Sequence, residues 1–228
     1  MTSIATAWSV ILAGQEADSQ SDQRQACLDY VVNTYQASIT AFIRQWGSFT
    51  RAEAEDLTHD YLTQFLEKNW IKTLDPNRGS LRGFLRVSVR HFLLNVRRSE
   101  QRRPQQEPLL DETVSPAADA TAERVFDRLW GRRILDQAFH DFSATEGNPM
   151  QALQVQVLRR HVLDIDGADS ASYAATAQAL HVTVAQVRNA LHRGKIRLAE
   201  CVKRQIRATV QTEAEVEQEL HFLGTVFQ

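Results

Sequence analysis

The spacing of apolar residues between Leu28 and Trp46 constrains the fold more than any other feature of the sequence. These residues recur at steps of three and four, which places them on one face of an α-helix. The predicted helix begins near residue 22, and Gly47, which follows Trp46 directly, predicts its end. Strand-like alternation is scarce, and only 9 Gly and 5 Pro interrupt the 228 residues. The sequence therefore predicts an all-α protein.

Capping signals predict the remaining helices. Thr50 with Glu53 forms a capping box, in which each side chain satisfies a backbone donor of the other. This box opens a helix that runs to about Asn69. After a turn cluster from Asp75 to Gly79, Ser80 caps a third helix, which extends through a basic segment. The later helices are predicted over residues 121–143, from Pro149 to about Leu163, over Ser172–Leu180 and from Val184 to about Arg207.

Charge divides the chain into two basic segments and an acidic connector. Residues 82–103 hold seven arginines against one acid, and residues 188–207 hold seven lysines or arginines against one acid. Between them, residues 104–121 hold four acids, three prolines and no basic side chain, a composition that resists regular structure. We therefore expect two small helical domains joined by an acidic, proline-containing linker. The predicted division is an N-terminal extension (1–21), a first domain (22–103), the linker (104–120), a second domain (121–207) and an acidic C-terminal extension (208–228).

Four arginines of the third helix predict a contact with nucleic acid. Arg82, Arg86, Arg90 and Arg97 follow steps of four, four and seven, so they line one side of the helix. No acid is interleaved with them before Glu100. An unpaired row of guanidinium groups suits a phosphate backbone, because each arginine that neutralises a phosphate releases a counterion and adds affinity. A merely solvated face is the alternative.

The last two predicted helices form a helix-turn-helix. The residues His181 to Thr183 are too few for anything but a turn, and Thr183 with Gln186 forms a second capping box. The start of the second helix then faces outward, where the early residues of a recognition helix reach base edges. A helical hairpin that packs only on protein is the alternative. The expected internal positions are Tyr173, Ala177, Leu180, Val182, Val187 and Leu191.

An acidic stripe lies on the second predicted helix. Glu53, Asp56 and Asp60 sit at steps of three and four and share one face. That face is available to a basic partner, although most charged helix faces are only solvated. The opposite face carries the apolar residues Ala54, Leu57, Tyr61 and Phe65.

Cysteine usage and hydropathy exclude several classes of protein. Cys27 and Cys201 lie far apart and form no Cys-x-x-Cys pair, so neither a disulfide framework nor a zinc site is predicted. A reducing cytoplasm fits, and we expect no metal and no cofactor. Residues 4–13 are apolar but far shorter than the roughly 20 residues that a membrane span needs, so we expect no membrane insertion.

The order of these elements resembles the extracytoplasmic-function sigma factors over residues 22–103 and 121–207. The run from Ala54 to Thr58, followed by Phe65-Leu66, is similar to the family's helix that binds core RNA polymerase. Residues 75–82 and the helix from Phe84 to Arg98 resemble the parts that capture an unstacked base and open the −10 element of promoter DNA. Ser172 to Arg193 resembles the helix-turn-helix that reads the −35 element. The resemblance implies an adaptor for transcription initiation rather than an enzyme.

The resemblance also implies site residues. Those implied for core polymerase binding are Glu53, Glu55, Asp56, Leu57, Asp60 and Phe65. Those implied for the −10 element are Asn77, Arg78, Arg82, Phe84, Arg86, Arg90, His91, Arg97 and Arg98. Those implied for the −35 element are Thr183, Gln186, Arg188, Asn189, His192, Arg193, Lys195 and Arg197.

Two further stretches are similar to a subgroup of the family that carries a C-terminal extension. They are Trp8-Ser9-Val10 and the run from His91 to Asn95. The chain departs from the common family pattern at His91, where the family usually has Asn, and at His181, where the turn often has Gly. An anti-sigma factor is a typical partner of the family, and a kinase acting on Thr50 or Thr58 is a second kind of regulator.

Two other functions stay open on the sequence. His59-Asp60 and His140-Asp141 resemble the ligand pair of metal-dependent phosphohydrolases, with His161 and Asp164 as further candidate ligands. A helix-turn-helix repressor with a helical sensor domain accounts for residues 121–207 but leaves the acidic stripe and the arginine row unexplained.

The C-terminal extension is the last feature that predicts regulation. Glu213, Glu215, Glu217 and Glu219 make it strongly acidic, close in sequence to the basic helix that ends near Arg207. We expect this tail to fold back on the chain and to reduce its affinity for DNA.

Overall fold

The computed structural model describes residues 22–67, 80–101, 116–144, 148–163, 172–210 and 212–227. Within these ranges the chain is all-α, as predicted, with no strand. No helix in this part of the chain combines the length and the apolar character that crossing a membrane requires. The described helices are α1 (Asp22–Gly47), α2 (Arg51–Glu67), α3 (Leu81–Gln101), α4 (Pro116–Ala144), α5 (Pro149–Leu158), α6 (Tyr173–Ala179), α7 (Val184–Arg207) and α8 (Glu213–Val226).

The predicted caps account for the beginnings of these helices. At α2, the Thr50 amide donates to Glu53 Oε2 at 2.8 Å, and the Glu53 amide donates to Thr50 Oγ1 at 3.3 Å. At α5, the Met150 amide donates to Asn148 Oδ1 at 2.9 Å. At α6, the Ala175 amide donates to Ser172 Oγ at 3.1 Å. Each of these bonds satisfies a backbone donor that the first helical turn leaves without a partner.

One predicted helix boundary is wrong. Residues 116–120 were assigned to the linker, but they form the first turn of α4. Proline is favoured at the start of a helix, where its missing N–H costs nothing, and Asp119 suits the positive end of the helix dipole. The helix predicted from Pro149 to about Leu163 does extend to Leu163, and its last five residues, Arg159–Leu163, are π-helical.

The chain divides into two compact units. The first comprises residues 1–133 and 206–228, and the second comprises residues 134–205. The division falls within α4 and within α7, whereas the predicted linker at 104–120 lies mostly outside the described residues. The described part of the C-terminal extension, including α8, belongs to the first unit.

Aromatic side chains of α1 and α4 form the core of the first unit. Phe126 lies 6.5 Å from the Tyr35 ring and 6.3 Å from the Phe42 ring, and all three side chains are fully buried. Trp130 is fully buried one helical turn further along α4, with its ring 6.3 Å from Phe222 of α8. Burial of this aromatic surface is the main stabilising contribution that anchors α4 on α1.

The helix-turn-helix lies within the second unit. Ala177, Val187 and Leu191 are buried, as predicted. Leu180 and Val182 are half-buried, and the prediction that Tyr173 is internal is wrong, because 40% of its surface is exposed. The turn is closed by the Val182 amide, which donates to the Ala177 carbonyl at 3.0 Å.

Candidate nucleic-acid interface and docking face

The arginines of α3 are paired with acids from other helices. Arg82 Nη1 donates to Asp127 Oδ1 at 2.6 Å, and Arg86 Nη1 donates to Asp127 Oδ2 at 3.0 Å. Arg90 Nη2 donates to Asp119 Oδ2 at 2.9 Å. The prediction that this row is unpaired is therefore wrong, because the acids lie on α4 rather than on α3 itself. We call Arg82, Arg86 and Arg90 with their acids Asp119, Glu123 and Asp127 the charge ladder.

Arg82 makes a second ion pair, with α8. Its Nε donates to Glu219 Oε2 at 2.9 Å and its Nη2 donates to Glu219 Oε1 at 3.1 Å, so the fork of the guanidinium group binds both carboxylate oxygens. The guanidinium carbon lies 3.8 Å from the centre of the Phe222 ring and 5.1 Å from that of Trp130. Arg82 is 8% exposed, so this predicted −10 contact is not accessible to DNA in this structure.

The electrostatics of Arg82 follow from these neighbours. Burial alone would lower the pKa of its guanidinium group, since it disfavours the charged form. The hydrogen bonds and charges of Glu219 and Asp127 outweigh that effect and raise the pKa. Arg82 therefore stays charged inside the first unit.

The charge ladder becomes more exposed towards Arg90. The side chain of Arg90 is 43% exposed, that of Arg86 is 28% exposed and that of Arg82 is 10% exposed. Glu123 lies 3.7 Å from Arg86 Nη1 and is itself partly exposed. The pKa of Arg90 is raised, chiefly by its hydrogen bond to Asp119.

The other predicted −10 residues fall into three groups. His91 and Arg98 are exposed, and Arg98 Nη1 donates to Asn95 Oδ1 at 3.4 Å. Phe84 and Arg97 are half-buried, and the guanidinium carbon of Arg97 lies 4.7 Å from the centre of the Trp46 ring. Asn77 and Arg78 lie outside the described residues.

The N-terminal half of α7 presents an exposed polar and basic surface. Thr183 and Gln186 form the predicted capping box, with the Gln186 amide donating to Thr183 Oγ1 at 3.2 Å. Arg188 lies over the Tyr173 ring of α6, 5.5 Å from its centre. Six of the predicted −35 residues form this surface, namely Gln186, Arg188, Asn189, His192, Arg193 and Lys195.

Arg197 does not belong to that surface. Its Nη1 donates to Gln154 Oε1 of α5 at 2.7 Å, and its guanidinium carbon lies 5.0 Å from the centre of the Phe142 ring. The side chain therefore ties α7 to α5 and α4 within the second unit. Its assignment to the −35 set stays a prediction, and in this structure the half-buried side chain contacts protein.

The acidic face of α2 is accessible, whereas one of its predicted contacts is not. Glu53, Glu55, Asp56 and Asp60 are exposed, and Leu57 is half-buried. Phe65 has no exposed surface, so it supports α2 from within the core instead of contacting a partner. Glu53 also serves the helix cap, and its hydrogen bonds with Thr50 lower the pKa of its carboxyl group.

The two threonines considered for a kinase both have structural roles. Thr50 caps α2, and Thr58 is 1% exposed. Thr58 Oγ1 donates to the Ala54 carbonyl at 2.6 Å and lies 3.0 Å from Thr40 Oγ1 of α1. Thr58 is therefore not accessible to a kinase in this structure.

Sequence reasoning missed the four acids that hold the arginine row. Asp119, Glu123 and Asp127 lie at steps of four on α4, and they match the steps of four between Arg82, Arg86 and Arg90. The sequence therefore already showed two stripes of opposite charge with the same spacing, which can pair when the two helices run antiparallel. Glu219 carried no such signal, since nothing in the sequence of α8 distinguishes it from Glu217.

The described residues offer no ligand cluster for a metal. Within the described ranges, no group of three or more His, Cys, Asp or Glu side chains is placed to hold an ion. His59-Asp60 belongs to the first unit and His140-Asp141 to the second, and Asp141 Oδ2 accepts a hydrogen bond from Gln205 Nε2 at 2.6 Å. Asp164 lies outside the described residues.

No protein-family profile matches the chain, and no curated protein sequence matches it either.

Proposed function

We propose that this chain is a sigma-type transcription initiation factor, which binds core RNA polymerase and directs it to promoter DNA. The observation that carries the proposal is the exposed start of α7. It presents Arg188, Asn189, His192 and Arg193 from the second helix of a helix-turn-helix. Arginine and asparagine are side chains that bind base edges in the major groove, and the early positions of a recognition helix are those that reach them.

The acidic face of α2 supports the second half of the proposal. Its acids Glu53, Asp56 and Asp60 are exposed, while Ala54, Tyr61 and Phe65 of the same helix are buried. A rigid helix that projects several carboxylates fits a basic partner surface, which the sequence resemblance identifies as core polymerase. An accessible helix of this kind is not needed by a protein that binds only DNA.

The outer end of α3 is the part of the arginine helix that remains accessible. His91 and Arg98 are exposed, and Arg90 is nearly half-exposed beside Asp119. In the proposal this end contacts the −10 region of the promoter. Extruding a base there costs a few kcal/mol, which contacts with a protein pocket and with the phosphates offset. An anti-sigma factor that covers the α2 face or the α7 surface is the corresponding regulator.

Run-off transcription with purified core polymerase and a library of genomic DNA fragments tests the proposal. We expect defined transcripts with the wild-type chain and a loss on the order of tenfold with Asp56→Arg, because reversed charge on α2 repels a basic docking surface. The matched control is Asp136→Arg, which makes the same charge change at an exposed position of α4. Equal activity of Asp56→Arg and wild type, with both chains folded, contradicts the docking assignment.

The same assay separates the proposal from a helix-turn-helix repressor. A repressor binds its operator duplex without polymerase, whereas an initiation factor of this type needs core polymerase for tight and specific binding. Tight sequence-specific duplex binding by the chain alone, with no transcript in the presence of core polymerase, would favour the repressor.

A further inference from the structure

Two arginines of α3 each bind an acid of this chain through two nitrogens. The Arg82 fork binds both oxygens of Glu219 at 2.9 and 3.1 Å, and Arg90 binds Asp119 through Nε and Nη2 at 3.1 and 2.9 Å. Arginine binds carboxylate and phosphate in the same two-pronged geometry. The Nε and Nη2 edge of Arg82 cannot bind Glu219 and a phosphate at the same time, whereas the side chain of Arg90 is 43% exposed.

Helices α4 and α8, which carry the acids, differ in how firmly they are anchored in the first unit. Phe126 and Trp130 fix α4 within the aromatic core, since both are fully buried. Helix α8 has 14 residues against the 29 of α4, and it is held by Val216, Leu223, Phe222 beside the Trp130 ring and the Glu219 ion pair. Helix α8 is therefore the part that can leave with the smaller loss of buried surface.

A glycine allows α8 to lie this close to α4. A Cβ atom at Gly131 would stand 2.9 Å from Leu223 Cδ1 and 3.0 Å from Phe227 Cε2, both on the C-terminal side of α8. A side chain at this position would press on Leu223 and Phe227, so these two side chains or α8 itself must shift. A large side chain such as leucine is therefore expected to loosen the contact between α8 and α4.

We propose that α8 is an autoinhibitory element: Glu219 takes the place of a DNA phosphate on Arg82, and DNA binding through Arg82 requires α8 to be displaced. The inference rests on the proposed DNA-binding role of α3. It goes beyond that role, because it names the side chain that blocks it and the helix that must move.

The first test uses a substitution that changes no charge. Fluorescence anisotropy of the full chain with labelled duplex and single-stranded DNA, without polymerase, compares Gly131→Leu with wild type. We expect Gly131→Leu to bind on the order of tenfold more tightly in low salt. The slope of log K against log salt should steepen by roughly 0.9 for duplex and roughly 0.7 for single-stranded DNA, because the Nε and Nη2 edge of Arg82 then binds one phosphate while Nη1 still binds Asp127. The matched control is Gly224→Leu, which adds the same side chain to α8 where nothing lies within 4 Å of the added Cβ, and it should bind like wild type.

The gain in DNA affinity must depend on Arg82. Adding Arg82→Gln to Gly131→Leu should return both the affinity and the salt slope to wild-type values. A gain that survives Arg82→Gln overturns the proposal, because the extra affinity then comes from another surface.

Glu219→Gln gives a second route to the same answer if Gly131→Leu does not fold. It removes the charge that holds Arg82 and keeps the shape of the side chain, and it should also steepen the salt slope. Its control is Glu213→Gln. This change removes the same charge from the same helix, but at a residue that pairs with Arg207 and not with Arg82. If Glu213→Gln raises the affinity as much as Glu219→Gln does, the effect is one of net charge and the proposal is wrong.

These outcomes are separate from those that test the proposed function. Tighter DNA binding by Gly131→Leu together with absent transcripts supports autoinhibition and contradicts the initiation role. Normal transcription together with unchanged DNA binding by folded Gly131→Leu and Glu219→Gln supports the initiation role and overturns autoinhibition.

Discussion

At the scale of single residues, Arg82 connects more of the first unit than any other charged side chain described above. It lies on α3, pairs with Asp127 of α4 and Glu219 of α8, and stacks on Phe222 of α8. Both acids are about as buried as Arg82 itself, with 9% of each side chain exposed. A buried ion pair stabilises little relative to an apolar replacement, but the loss of one partner leaves a charge without compensation.

The unfolding free energy should therefore depend strongly on Glu219. We expect Glu219→Ala to lower it by roughly 3 kcal/mol, because Arg82 loses one of its two buried acids. Glu213→Ala on the same helix should cost less than about 1 kcal/mol, since its pair with Arg207 is more than half exposed. Urea unfolding followed by circular dichroism measures both values, and equal losses in the two variants would contradict the assigned role of Arg82.

His161, in the second unit, predicts that the stability of the protein depends on pH. Its Nε2 lies 3.0 Å from Thr176 Oγ1, and its ring lies 5.3 Å from that of Tyr173. Burial lowers the pKa of His161, and the nearby charges of Lys195 and Arg160 lower it further. Thr176 is itself fully buried, so this contact joins the π-helical turn to α6.

The sign of the pH effect follows from the lowered pKa. Below pH 6.5, the ordinary pKa of His161, the unfolded chain takes up a proton before the folded chain does, so stability falls as the pH falls. We expect thermal unfolding of wild type to shift more between pH 7.5 and pH 5.5 than that of His161→Gln. His140→Gln, at an exposed position in the same unit, serves as the control and should keep the wild-type shift. An identical pH shift in wild type and His161→Gln would refute this assignment.

At the scale of helices, local signals predicted where each element begins but not what it packs on. The capping boxes of Thr50 with Glu53 and of Thr183 with Gln186 were readable because both partners lie within one turn. The partners of Arg82, Arg86 and Arg90 were not found, because they lie 29 to 137 residues away along the chain. Tyr173 was placed inside for a related reason: helical periodicity identifies a face but not how fully its neighbours cover it, and His161 and Arg188 leave 40% of Tyr173 exposed.

The turn between α6 and α7 adopts a backbone conformation that suits few side chains. His181 has φ 54°, in the left-handed region, where the Cβ atom of most residues crowds the following carbonyl oxygen. We expect His181→Val to lower the stability of the helix-turn-helix by roughly 1 kcal/mol, because a β-branched side chain tolerates this conformation poorly. His181→Gly should leave the stability unchanged or raise it slightly. The gain stays small because glycine also has greater conformational freedom in the unfolded chain. Thermal unfolding of the two variants measures the difference, and a His181→Val variant as stable as His181→Gly would contradict the argument.

At the scale of the whole molecule, composition and tertiary packing divide the chain differently. The prolines and acids of residues 104–120 predicted a boundary there, since such a composition buries little. The compact units divide instead after Arg133 and after Gln205. Phe126 and Trp130 explain why the first part of α4 belongs with α1, because both pack in the aromatic core of the first unit. The apolar spacing along α4 was visible in the sequence, but the helix that covers that face was not.

The charge ladder also bears on how this sequence can change over time. A replacement of Arg82 or Asp127 alone leaves its partner buried without compensation, so the two positions can change freely only together. A ladder with the signs exchanged would set a carboxylate against the Phe222 and Trp130 rings and an arginine in the positively charged first turn of α4, so stability favours arginines on α3. In our proposal DNA selects the same side chains, so one arrangement of charge serves both the packing of the first unit and the contact with phosphate.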